Sequence, residues 1–84
     1  MKWDLGCYGD GTFGHQHTRE RCAEIVTSGA GPLKICRALQ GPMSDDAQEE
    51  YDACDWLNET CAVYGAVWSW QDGDFGLWPI DDES

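Results

Sequence analysis

The sequence predicts an α+β fold, a small single domain spanning residues 1–84, and three features predict it. Asp72-Gly73 is a two-residue turn signal between two aromatic-rich runs, which marks a C-terminal β-hairpin. The stretch Ser44 to Ala62, SDDAQEEYDACDWLNETCA, carries apolar residues at helical spacing. Near the N-terminus, Trp3, Leu5 and Cys7 alternate with Lys2, Asp4 and Gly6, the pattern of a half-buried strand.

Taken in order, Lys2 to Tyr8 is the first strand, and the glycine-rich run Gly9 to Gly14 is a loop. A glycine loop before a helix can cradle phosphate, but no Lys-Ser/Thr follows it and Asp10 would repel phosphate. Thr18 is the expected N-cap of a first helix that ends at Gly29, with Cys22, Ile25 and Val26 facing the core. Arg19 and Arg21 then sit in the first turn, where the helix dipole disfavours cations, so they are expected to pair with acids from elsewhere. Pro32 suits the start of a second helix, Leu33 to Gln40, which Gly41-Pro42 stops.

Ser44 is the expected cap of the longest helix, with Asp45 and Asp46 in its first turn and Gly65 beyond its end. At 100° per residue, Ala47, Tyr51, Cys54, Leu57, Cys61 and Tyr64 form the expected core stripe. Asp45, Glu49, Asp52, Asp55 and Glu59 fall opposite, around Trp56, while Asp46 and Glu50 lie nearer the core edge as partners for Arg19, Arg21 or Arg37. The hairpin pairs Gln71 with Asp74, Trp70 with Phe75, Trp68 with Leu77 and Val67 with Trp78, and Pro79 suggests an edge strand. The first strand is expected to complete a small antiparallel sheet, because a lone hairpin is marginal. Residues 80–84 read as a frayed tail.

Charge divides the chain unevenly. Residues 1–42 hold five basic and four acidic residues, +1, and residues 43–84 hold twelve acidic and no basic ones, −12, which sum to −11. That balance disfavours nucleic acid and anionic membrane as direct partners and favours a basic protein surface. An acidic surface kept for solubility in a housekeeping interaction module is the plainer alternative. No segment reaches the roughly 18 apolar residues of a membrane span, and the N-terminus lacks a secretory h-region, so a cytoplasmic location is expected. Five cysteines, an odd number, then read as free thiols, with Cys54 and Cys61 as small core residues.

Three stacked like-charge pairs on the long helix, Asp45 with Glu49, Asp46 with Glu50 and Asp55 with Glu59, each cost a few tenths of a kcal/mol. A binding role would explain their tolerance. Asp52, Asp55 and Glu59 rise along one line at about 4.5 and 6 Å, near the roughly 3.4 Å axial step of backbone phosphates. Trp56 reads as an interface anchor if it points outward, and as core if a neighbouring strand folds over it. Asp72 and Asp74 at the hairpin tip, and Asp81, Asp82 and Glu83, extend the acidic surface.

Cys7, His15, His17 and Cys22 are the one set with zinc-ligand chemistry, in irregular spacing without Cys-x-x-Cys, and support a small zinc-binding protein as the alternative function. Otherwise no cofactor is expected. No catalytic motif stands out: no cysteine is singled out as a nucleophile, and carboxylate pairs are too abundant to mean anything. In size, acidity and lack of catalytic motif, the chain resembles the small phage-encoded proteins that block bacterial defence systems, such as anti-CRISPR proteins. Several such families mimic nucleic acid with an acidic face. The resemblance implies a non-enzymatic inhibitor of a nucleic-acid-handling complex in a host cytoplasm.

Overall fold

A three-stranded antiparallel sheet carries two helices, the first and third in the chain, with the second packed on those two, in a computed structural model that describes residues 3–80. Lys2 and the tail from Asp81 to Ser84 lie outside the described residues. The strands are β1 (Gly6–Gly9), β2 (Ala66–Gln71) and β3 (Asp74–Pro79), and the helices α1 (His15–Ser28), α2 (Leu33–Gln40) and α3 (Gln48–Thr60). The core joins Cys22, Ala23 and Val26 of α1, Leu39 of α2, and Ala53 and Leu57 of α3 to Trp68, Phe75 and Leu77 of the sheet.

The hairpin forms as its local chemistry dictates. Asp72 and Gly73 both take positive φ, 54° and 86°, as a type I′ turn requires. Gln71 pairs with Asp74, Trp70 with Phe75, Trp68 with Leu77 and Val67 with Trp78, the predicted register. The predicted edge position is wrong, because the strand order is β1-β3-β2 and β3 lies at the centre. Pro79 is tolerated there because β1 reaches only as far as Gly6 opposite Leu77, so no partner awaits the missing N–H.

The N-terminal strand starts later than predicted, and its faces are inverted. Gly6, at φ 138°, turns the chain into β1, so Leu5 and Cys7 are exposed and Tyr8 points inward. Tyr8 packs on Trp68 with centroids 5.2 Å apart, and Trp3 meets the same indole edge-on at 5.4 Å.

Both outer strands have an occupied edge. Asn58 of α3 accepts from Trp68 N at 2.8 Å and donates to Trp68 O at 3.1 Å, standing where one rung of a fourth strand would be. On β1, Tyr8 O accepts from Arg21 Nε at 3.1 Å. Side chains thus occupy ladder positions that would otherwise invite another chain.

Helix boundaries depart from the cap signals. Helix α1 begins at His15 after Gly14, and Thr18 is buried within it, not at its cap. The Thr18 hydroxyl donates to His15 O and accepts from Trp70 Nε1, so the buried oxygen is satisfied from both sides.

At the other end of α1, the left-handed residue is Ala30 (φ 61°), not the predicted Gly29. Gly31 N bonds Val26 O at 2.8 Å and Ala30 N bonds Thr27 O at 2.9 Å, which is a Schellman closure. The flanking glycines serve packing instead. A Cβ on Gly29 would come within 3.1 Å of the Trp56 indole, and one on Gly31 would overlap Val26. Ala30→Gly should therefore raise stability by about 0.5–1 kcal/mol, as relief of left-handed strain outweighs added chain entropy. Gly31→Ala should lower it by about 1–3 kcal/mol. Denaturant midpoints of the two variants, measured side by side, check both signs.

Candidate functional site

Helix α3 carries the candidate surface, and an ion cluster decides which way it faces. Arg19 of α1 is fully buried. Its guanidinium donates to Glu49 at 2.5 Å, to Gly41 O at 2.9 Å, to Ala38 O at 3.1 Å and to Gln16 at 3.2 Å. Its Nε lies 3.2 Å from a Glu50 carboxylate oxygen, a charge contact without hydrogen-bond alignment. His15 reaches the same oxygen at 2.9 Å.

The expected pairing of Glu50 with Arg19 is therefore present. Asp46 instead accepts from Ser44 Oγ and Gln48 N, and Arg21 pairs with Glu24 on its own helix. Among the described residues, Arg37 makes no ion pair.

The same cluster moves the helix start. Ser44 gives its N–H and hydroxyl to Glu49 at 3.0 and 2.6 Å, and Ala47 turns left-handed (φ 51°) before the helix opens at Gln48. The predicted cap at Ser44 is thus one turn early, and Asp45 and Asp46 lie in the preceding turn, not on the helix. Of the three expected like-charge stacks, only Asp55 with Glu59 remains within α3.

Because Glu49 and Glu50 turn inward, the buried face rotates by about 60° from the predicted stripe. Ala53 and Leu57 are fully buried, Ala47, Cys54 and Cys61 are half-buried, and Tyr51 and Tyr64 are exposed. The core accepts Ala53 where the apolar count favoured Tyr51.

The predicted acidic face consequently divides. Asp52, Asp55 and Glu59 are exposed along one ridge of α3, and among the described residues none of them has a cationic partner. Asp52 accepts only the Gln48 side-chain amide, at 3.0 Å. Asp45 and Asp72 are exposed in turns. Glu49 leaves the set as a structural residue. Asp74 leaves it as well, half-buried and accepting Gly11 N at 2.6 Å, a bond that pins the glycine loop to the hairpin tip. Trp56 is half-buried and packs on Gly29 and Gly31, in the connection between α1 and α2. Asp81, Asp82 and Glu83 lie outside the described residues.

The glycine loop and the zinc-type residues separate in the same way. Asp10 and Asp74 occupy the loop amides of Thr12 and Gly11. Cys7 is exposed on β1, His17 meets the Phe13 ring at a tilt with centroids 5.2 Å apart, His15 joins Glu50, and Cys22 is buried in the core. Among the described residues, no three His, Cys, Asp or Glu side chains converge on a metal position.

Burial pushes the Cys54 thiol up to about 12, with Asp55 and Glu50 adding to it, and burial likewise raises Cys22, Cys61 and Cys7. Raising a thiol's pKa lowers its share of thiolate, the nucleophilic form.

One feature beside the ridge escaped the sequence reading. A cleft of about 260 Å³ opens between α3 and β2, lined by Ala47, Glu50, Tyr51, Cys54, Ser69 and Trp70. Its only sequence signal is Tyr51 one helical turn before Asp55, which the apolar count assigned to the core.

No family model, curated protein or solved structure matches the chain.

The Ser44 hydroxyl, then the Ser44 N–H, the residue's own N–H and Arg19 hold the Glu49 carboxyl down at about 2, against its usual 4.5. A depressed carboxyl stabilises the fold fully above pH 4.5 and loses that contribution as pH falls towards about 2. Acid unfolding of wild type should therefore steepen across that window. Glu49→Gln should be less stable at neutral pH and show a flatter profile there, read by circular dichroism against pH.

Proposed function

We propose that the protein is a non-enzymatic binder that docks the exposed ridge of α3 on a basic, nucleic-acid-binding surface of a partner protein. The observation that carries this reading is that Asp52, Asp55 and Glu59 stand exposed in line with no cationic partner among the described residues, while Glu49 and Glu50 beside them are bound up by Arg19. Three carboxylates at about 4.5 and 6 Å along the axis present charge at intervals close to those of a phosphate backbone. Asp45, in the turn before α3, adds a further exposed carboxylate.

Such a protein acts by occupation. It covers a groove where DNA or RNA would lie, and its affinity comes with steep salt dependence because the contacts are between solvated charges. An inhibitor of a bacterial defence complex in the host cytoplasm, of the anti-CRISPR kind, is the biological setting that this mode of action fits. The inward turn of Trp56 and Glu49 makes the proposed contact smaller and more electrostatic than the sequence alone suggests.

The test uses immobilised protein and host lysate washed at graded salt. A captured nucleic-acid-binding protein should be released between about 0.1 and 1 M salt, as the screening length falls from about 10 to 3 Å. Added double-stranded DNA or RNA should displace it. The triple variant D52K/D55K/E59K should keep the wild-type circular dichroism spectrum and capture nothing at any salt concentration. Retained capture by that variant would remove α3 from the interface.

A further inference from the structure

The acidic ridge borders a cleft that it does not itself explain. The cleft runs between the start of α3 and β2, and its lining includes two aromatic residues, Tyr51 and Trp70, with Ala47, Glu50, Cys54 and Ser69. At about 260 Å³ it falls below the roughly 300–1,000 Å³ of sites that take drug-sized ligands or cofactors. It has room for one long side chain from another protein.

Its two aromatic walls differ in rigidity. Trp70 is fixed, because its indole N–H donates to buried Thr18 at 2.9 Å and its ring packs on Phe75 at 4.5 Å. Tyr51, on the first turn of α3, lines the cleft and is 64% exposed, so its ring is the less constrained of the two. The Cys54 and Ser69 side chains bring no charge, and Glu50 is already shared between Arg19 and His15. An occupant therefore meets aromatic faces inside and free carboxylates outside, since Asp55 follows Tyr51 by one turn and Asp52 adjoins it.

That combination selects among side chains. A carboxylate is repelled by the ridge. An aliphatic side chain gains the walls but nothing from the charge. An ammonium gains the charge but holds its water shell tightly, whereas a guanidinium is planar, weakly hydrated and stacks on aromatic rings. Trp and Tyr, with Arg from the partner, are also the residues that concentrate binding energy at interfaces.

We propose that the Tyr51–Trp70 cleft is the anchoring pocket for an arginine side chain of the basic partner. This rests on the reading of α3 as a docking face. The ridge supplies long-range attraction that any cation satisfies, and the cleft supplies the preference for arginine over lysine.

The experiment titrates isotope-labelled protein with capped hexa-arginine, hexa-lysine and hexa-citrulline peptides, followed by amide and indole N–H shifts. Hexa-arginine should bind roughly five- to tenfold tighter than hexa-lysine and shift Tyr51, Ser69 and the Trp70 indole. Hexa-lysine should shift only the ridge residues Asp52, Asp55 and Glu59, and hexa-citrulline should shift nothing. Tyr51→Ala should bring hexa-arginine down to the hexa-lysine affinity and leave hexa-lysine unchanged, which also controls for folding. Tyr51→Phe should restore the preference, because the ring face and not the hydroxyl forms the wall.

Equal affinity for the two cationic peptides, or shifts confined to the ridge, would overturn the arginine pocket and leave the acidic docking face standing. Binding of the citrulline peptide as tight as that of arginine would also overturn it, showing an apolar pocket indifferent to charge. Binding of neither cationic peptide would overturn the docking face and the pocket together.

Discussion

The buried guanidinium of Arg19 is the contact on which the arrangement of the three helices depends. A cation taken fully out of water costs several kcal/mol unless its donors are met. Here α2 contributes the carbonyl of Ala38 and its capping residue Gly41 contributes another, at the helix end where the dipole is negative. Gln16 on the preceding turn of α1 contributes an amide oxygen, and α3 contributes two carboxylates. One side chain thus ties the end of α2 and the start of α3 to the middle of α1. Moving α3 around its axis would separate a buried charge from its partners, a change that costs about 3–5 kcal/mol in buried pairs. The outward aim of Asp52, Asp55 and Glu59 follows from the inward aim of Glu49 and Glu50.

Elements specified by local chemistry were legible in the sequence. Asp72-Gly73 fixed the hairpin register to the residue, and Pro32 with Gly41-Pro42 bounded α2, because those signals act within a few residues. Elements specified by distant partners were not. The wheel placed Tyr51 inside and Glu49 outside because it counts polarity, and polarity does not reveal that an arginine 30 residues earlier is buried. Thr18 resembled a cap until Trp70 supplied its buried donor, and Asp74 resembled a free acid until Gly11, 63 residues away, took its oxygen. Gly29 has the residue type of a left-handed stop but serves to make room for Trp56, and Ala30 bears the strain in its place. Within the candidate site, the exposure of Asp52, Asp55 and Glu59 was readable from spacing alone. The cleft beside them was not, because it forms only where β2 docks.

Groups that could do chemistry are largely committed to structure. Buried thiols are held protonated, the glycine-loop amides are bound by Asp10 and Asp74, and His15 leans on Glu50. At the surface of the described residues, the Asp52, Asp55 and Glu59 carboxylates stand beside the cleft lined by Tyr51 and Trp70.

Asn58 gives that placement its stiffness. By taking both the N–H and the carbonyl of Trp68, it rivets α3 to β2 at a single rung, with Tyr51 two turns before it and Asp55 and Glu59 on either side. The ridge and the far wall of the cleft therefore belong to one rigid frame. A partner meeting that frame does not have to order it, so little entropy is lost on the protein's side of the encounter. In the proposed docking, geometry prepared before contact is what would let a surface this small compete with a polymer that binds along its whole length.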